Sequence, residues 1–167
     1  MCSNFEFLAL RLKKKEIESK IGSKVIKPIL KLYGYFPPSS KNDSELDFYM
    51  RDQLRNLFSE HENGLTLDQD KHTFFDQFRE DWSYYWLLHR SFFMIERGKK
   101  YKLAVITLIC LLNNRVYFAE RGHWWHRLGM NLKHLKMKHD AFKAMNLALK
   151  DEFVKGEKLN TVLKYRL

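Results

Sequence analysis

The run from Leu103 to Asn114 carries no charge over 12 residues, and no other stretch of the chain is free of charge for as long. Leu103, Ala104, Val105, Ile106, Leu108, Ile109, Leu111 and Leu112 make it apolar nearly all round. A helix with so narrow a polar face has to be covered on several sides. It is too short to span a bilayer, so its cover must come from the rest of the chain. Composition says what that cover is made of. Leu occurs 24 times and Val 5 times, and Gly and Pro are scarce at 7 and 3 residues. Helices are favoured over strands, and turn-dense β architectures are disfavoured. An all-α fold is expected.

The remaining pattern divides into helical stretches. Phe5 to Tyr35 is broadly helical, with Lys13, Lys14 and Lys15 on its polar side, and Gly22 and Pro28 predict two short helices there. Phe36 to Asp43, with paired prolines followed by turn formers, reads as a linker. Ser44 then caps a helix that ends near His61. From His72 to Arg97 the aromatic residues Phe74, Phe75, Phe78, Trp82, Tyr85, Trp86, Phe92 and Phe93 recur at helical spacing, which marks core packing. Gly98 breaks that run. Beyond the apolar helix, further helices are expected at about 124–138, 140–152 and 157–167. The boundaries are thus 1–36 for an N-terminal helical segment, 37–43 for a linker and 44–167 for the main helical region.

Within 44–167 there is a weak internal repeat. Trp125, Leu128 and Gly129 reproduce the W-x2-L-G opening of a tetratricopeptide helix pair, and Ala141 and Ala148 fall where that pattern keeps small residues. A shift of 37 residues sets Ala104, Leu108 and Leu111 against Ala141, Met145 and Ala148, and Ile95 against Leu132. Stacked helix-turn-helix pairs with an N-terminal helical extension follow, each pair burying its neighbour's apolar face. A third pair would open at Glu157, so the chain reads as a segment of something longer.

Charge is distributed unevenly. Residues 1–96 hold 14 Lys/Arg against 15 Asp/Glu, and residues 97–167 hold 16 against 5. A field of that sign attracts a polyanion, of which nucleic acid is the commonest inside cells. With two cysteines, Cys2 and Cys110, no disulfide framework or zinc ribbon can be built. The start has no basic segment ahead of its apolar run and does not read as a signal peptide. No strand pair with an acidic residue and Glu-x-Lys is present to hold a catalytic cation, and no phosphate loop, G-x-S-x-G or H-E-x-x-H occurs. His123, His126, His134 and His139 do not close a zinc site. No catalytic residue, metal ligand or cofactor is assigned to this segment.

The informative stretch is Arg121 to Leu132. Gly122 opens a helix whose first turn offers free N–H groups. Arg121, His123 and Arg127 lie within its first two turns, with 123 and 127 four apart on one face. The spacing predicts a compact site for a phosphate group. Trp124 and Trp125 would anchor the helix from behind.

Arg-Gly-His-Trp-Trp-His-Arg-Leu-Gly-Met-Asn-Leu (121–132) resembles the R-G-x-W-W-x-R-L-x-x-N-L signature of the Fanconi-associated nuclease family. The similarity extends back through Trp82–Leu112 and forward to Lys155–Leu159, about 72–167 in all. The resemblance implies the helical-repeat part of a nuclear DNA-repair enzyme for interstrand crosslinks, one that cleaves near 5′ ends and flaps with Mg2+ or Mn2+. The family's catalytic domain follows the repeats, and this chain ends before it. Arg127 resembles a residue of the family's 5′-phosphate pocket. His123 stands where animal members often carry Arg, and Glu157 where a His is expected. DNA is the expected partner, with Arg121, His123 and Arg127 on a terminal phosphate and Lys133, Lys136 and Lys158 along the backbone. No membrane association is expected. A tetratricopeptide-like adapter holding a protein partner in its groove is the alternative.

Overall fold

The computed structural model describes residues 18, 20–35, 43–63, 80–114, 120–151 and 154. The readings at 1–17, the linker at 36–42, the start of the aromatic run at 72–79 and the helix from Glu157, with Lys158, lie outside the described residues. The described chain forms α1 (residues 20–32), α2 (Asp43–Glu62), α3 (Glu80–Arg97), α4 (Tyr101–Leu112), α5 (Arg121–His134) and α6 (Lys138–Lys150). The fold is all-α, as expected, and no strand occurs among the described residues.

The apolar helix occupies the centre. Every residue of α4 from Leu103 to Leu112 is buried. α2, α3 and α5 pack on it, and α6 closes the arrangement against α5 and α2. Thr107, the polar side chain within that buried run, donates its hydroxyl to the Leu103 carbonyl at 2.8 Å. That bond satisfies it without help from another helix. Trp124, Trp125, Leu128 and Leu132 bring α5 into the same core, and Ala141, Ala144, Met145 and Ala148 bring in α6. Gly129 lets the Met145 side chain lie directly on the α5 backbone, where a Cβ would stand 3.2 Å from its sulfur.

The N-terminal helix departs from expectation. α1 continues through both Gly22 and Pro28. Ile26, Ile29 and Leu30 join the common core, and tertiary packing of such a face outweighs local propensity. Pro28 is exposed, so water can serve the Lys24 carbonyl that the ring leaves unbonded. Gly22 is there for contact. A Cβ at that position would meet the Met94 Cβ at 3.1 Å and the Ser91 carbonyl oxygen at 3.3 Å. The Tyr33 hydroxyl donates to Asp81 at 2.9 Å, and its ring stacks on Tyr85 at 5.2 Å, which fixes α1 against α3.

The 37-residue offset proves to be geometric. α3 ends at Arg97 and α5 at His134, and α4 begins at Tyr101 and α6 at Lys138. The turns between them match bond for bond. Lys99 donates to Glu96 and Lys100 to Ile95; one period on, Lys136 donates to Lys133 and Met137 to Leu132. These are the paired bonds of a Schellman cap, which needs a left-handed residue after the helix. Lys99 (φ 57) and Lys136 (φ 63) supply it, so the reversal falls one residue beyond Gly98. α5 also starts three residues earlier than its periodicity predicts, at Arg121, and stops at this cap before reaching 138.

A lysine held in the left-handed region costs about 1 kcal/mol relative to glycine. Lys99→Gly is therefore expected to raise unfolding stability by about 0.5–1 kcal/mol in urea melts. A variant of unchanged or lower stability would show that this cap is not strained.

Candidate nucleic-acid interface

The helix that carries the signature residues is anchored by a polar knot inside the molecule. The Arg121 side chain is 1% exposed and that of Asp151 is 3% exposed. Arg121 donates from Nε to Asp151 Oδ2 at 3.0 Å and from Nη2 to the same oxygen at 2.8 Å. Its Nη1 donates to the Leu112 carbonyl at 2.6 Å, an unpaired acceptor at the C-terminal end of α4 where positive charge is favoured. Trp125 Nε1 donates to Asp151 Oδ2 at 2.7 Å. The knot thus joins the end of α4, the start of α5 and the residue just past α6.

His61, from the last turn of α2, completes it. Its Nδ1 lies 2.9 Å from the Leu57 carbonyl and its Nε2 lies 3.0 Å from Arg121 Nη2. A carbonyl can only accept and a guanidinium can only donate. The ring is therefore neutral, with its proton on Nδ1. Burial, reinforced by the Arg121 charge, holds its pKa below the ordinary imidazole value. His89 accepts from Trp124 Nε1 at 3.0 Å, and burial lowers its pKa as well.

Arg127 faces another direction, since six residues of helix turn it about 240° away from Arg121. Its guanidinium grips Glu96 of α3, with Nε 3.0 Å from Oε1 and Nη2 2.5 Å from Oε2. Asn131 Nδ2 also donates to Glu96. The Arg127 side chain remains 33% exposed, at one wall of an open groove of about 270 Å³ lined also by Phe93, Tyr101 and His134. The Tyr101 and His134 rings stack there at 4.5 Å. His123 lies between, its ring 5.6 Å from that of Phe93. Its buried Nε2 has no hydrogen-bond partner among the described residues. Burial, with Arg127 adding to it, pushes its pKa down.

Arg121, His123 and Arg127 do not converge on a common open pocket. Arg121 is committed inside the molecule, His123 is held neutral, and Arg127 already carries a carboxylate. Both arginines of the expected phosphate site thus hold a carboxylate in this geometry. The cause is non-local: Glu96 lies 31 residues before Arg127 and Asp151 lies 30 residues after Arg121. Sequence reasoning missed both acids. One signal was available for Asp151 alone, because each of the five acidic residues after position 96 was a candidate partner for a buried arginine, whereas Glu96 lies just ahead of that basic stretch.

Lys133 and Lys136, by contrast, are exposed at the α5–α6 turn. His134, Lys138 and His139 are exposed beside them. Lys138 was not singled out from sequence, because its helix was expected to begin two residues later. Among the described residues no group of three His, Cys, Asp or Glu side chains could hold a metal ion. Nor is any described helix long and apolar enough to cross a membrane.

Stacked helix pairs, with small residues and a W-x2-L-G opening between them, define the tetratricopeptide class of repeat. Residues 41–165 match the family described as Fanconi-associated nuclease 1, TPR domain. The chain belongs to the Fanconi-associated nuclease family. It is 38% identical to Fanconi-associated nuclease 1 of Danio rerio over 86 residues, covering 50% of this chain and 9% of that protein. The Homo sapiens protein is 34% identical over 100 residues, 58% of this chain and 10% of its own length. The Fanconi-associated nuclease 1 homolog of Dictyostelium discoideum is 30% identical over 82 residues, 49% and 8% respectively. The chain thus spans about a tenth of the length of these relatives.

Two outcomes test the knot. Asp151→Ala leaves a buried guanidinium uncompensated and is expected to cost about 3–5 kcal/mol of unfolding stability in denaturant melts. A loss below about 1 kcal/mol would mean the pair is exchangeable with water. The second concerns pH. His61, His89 and His123 have folded pKa values below their unfolded value of about 6.5. Their stabilising contribution is therefore complete above that pH and is lost as pH falls through the lower folded values. The melting temperature should drop between pH 7.5 and 5, and His61→Gln should flatten part of that slope. A melting temperature constant across this range would remove the claim of neutral buried histidines.

Proposed function

We propose that this chain is the DNA-contacting helical-repeat portion of a Fanconi-associated structure-specific nuclease working in the nucleus on interstrand crosslinks, and that the catalytic groups lie outside it. The observation that carries the reading is the exposed basic turn between α5 and α6, where Lys133, His134, Lys136, Lys138 and His139 stand within seven consecutive residues. The paired hydrogen bonds of the cap hold this turn in one conformation, so its charges are presented with little backbone freedom left to lose. The excess of basic residues after position 97 gives the surrounding field the same sign. Membership of a nuclease family makes DNA the polyanion of choice.

The contacts assigned are to the phosphate backbone, through Lys133, Lys136 and Lys138. They set affinity and position without reading bases. Selection of a 5′ terminal phosphate is not assigned to Arg121 or His123, and a phosphate at Arg127 would have to displace Glu96. The 5′ flap and 5′–3′ exonuclease activities that the family resemblance implies, and their Mg2+ or Mn2+, would belong to the catalytic domain. The described residues do not gather the ligands for such a metal, and no step of catalysis is assigned to them.

The test is binding of the purified chain to a labelled duplex at several salt concentrations. Affinity should fall with a log–log slope of about −0.9 per phosphate neutralised, and Lys133→Glu with Lys136→Glu should lessen that slope by roughly two. Duplexes with and without a 5′ phosphate should bind alike. Affinity indifferent to salt, or unchanged in the double variant, would refute the reading. A strong preference for the phosphorylated end would restore the pocket at Arg127.

A further inference from the structure

On the side of α6 that faces α2 runs a second open groove, of about 200 Å³. Its floor is formed by the rims of the core residues Leu54 and Phe58 and by the partly buried Met137, and Arg51, Arg55, His139 and Lys143 stand around them, with Asp140 at the edge. The cations are held loosely. The exposed Arg51 pairs with Asp47 at 3.2 Å, and Lys143 pairs with the half-exposed Glu62 at 3.0 Å. Exposed pairs of this kind contribute little and exchange readily for another carboxylate. The exposed Arg55 has no ion pair among the described residues. Lys143 Nζ also lies 5.3 Å above the Phe58 ring, so charge and apolar surface are in direct register.

The apolar surface continues beyond the groove. Phe48 is 77% exposed, and it precedes Arg51 and Arg55 by three and seven positions, which puts all three on one face of α2. Phe142, adjacent to Lys143 on α6, is 54% exposed. Large apolar side chains left in water beside a lined groove mark an interaction surface.

We propose that this groove binds an acidic peptide segment that carries an apolar anchor side chain. The anchor sits against Met137 and the exposed Phe48, and flanking carboxylates meet Arg51, Arg55 and Lys143. Charge complementarity selects the acidic flanks. The exposed Phe48, on the α2 face that carries Arg51 and Arg55, selects against a nucleic-acid backbone, whose phosphates would use the cations and leave that ring in water. Arg51 and Arg55 are on α2, whereas the DNA contacts assigned above are at the α5–α6 turn, so the two surfaces can be separated by mutation.

The experiment measures fluorescence anisotropy of a labelled peptide in which a Leu-Phe pair is flanked by runs of glutamate. The full chain should bind it saturably. Arg55→Glu, at an exposed position of α2, should weaken binding by about tenfold or more at low salt, with Arg55→Gln intermediate and circular dichroism unchanged in both. A peptide with the Leu-Phe pair replaced by serines should lose affinity to a similar degree. Lys133→Glu should change peptide affinity by less than about twofold while still weakening duplex DNA, so failure of the DNA reading and failure of this one are distinguishable. Equal binding by wild type and Arg55→Glu would overturn the proposal, and so would equal binding of the serine peptide. An oligonucleotide that displaces the peptide, and is itself weakened by Arg55→Glu, would overturn it in favour of nucleic acid.

Discussion

The buried contact between Arg121 and Asp151 is the constraint on which the arrangement of the later helices depends. Charges this deep are tolerated when the carboxylate and the guanidinium both find further partners. Here the Asp151 carboxylate takes donors from Arg121 and Trp125, and the guanidinium also serves the Leu112 carbonyl and the His61 ring. Four helices are tied at one point: the ends of α2 and α4, the start of α5 and the chain leaving α6. Apolar packing around α4 supplies the bulk of the core, and close contacts such as Met145 on Gly129 already resist sliding of one helix along another. The polar knot adds to that resistance, because a shift along the axis would leave a charge or a carbonyl unmatched.

This contact is one of two that occupy the arginines of the signature stretch. A cluster of basic residues opening a helix satisfies every local requirement for phosphate. Arg127 is drawn to Glu96, and Arg121 is drawn inward to the carbonyl end of α4. Both arginines are used to join helices. Lysines rather than arginines stand exposed on the turn, where a compact, strongly hydrated ammonium is at ease in water. Cohesion at the start of α5 and exposed charge at the turn that follows it thus fall to two kinds of cation.

Much of the architecture was legible in the sequence because it is written locally. The uninterrupted apolar run of α4 demanded a central position, and Trp125, Leu128 and Gly129 with Ala141 and Ala148 announced the close α5–α6 pairing. The 37-residue offset, weak as a sequence signal, became plain once the caps at Lys99 and Lys136 were seen to repeat it. Other features were not legible, each for a physical reason. Lysine carries no signature of a left-handed residue, so the reversal was placed on Gly98. Gly22 and Pro28 argue against a continuous α1, and only the packing of Ile26, Ile29 and Leu30 overrides them. The fate of the cations depended on acids some thirty residues away in the chain, beyond the reach of any spacing rule.

The distance in chain between the two halves of the knot bears on how the molecule is made. The first turn of α5 leaves the ribosome with its arginine unmatched, and it stays so until Asp151 has also emerged, 30 residues later. During that interval Trp125 lacks its indole partner too. The nascent helix pair is therefore incomplete for the time needed to translate the whole of α6, and it closes only when that helix docks. A chain that stopped within α6 would have to bury Arg121 without its carboxylate, and an uncompensated buried charge opposes the docking of α5.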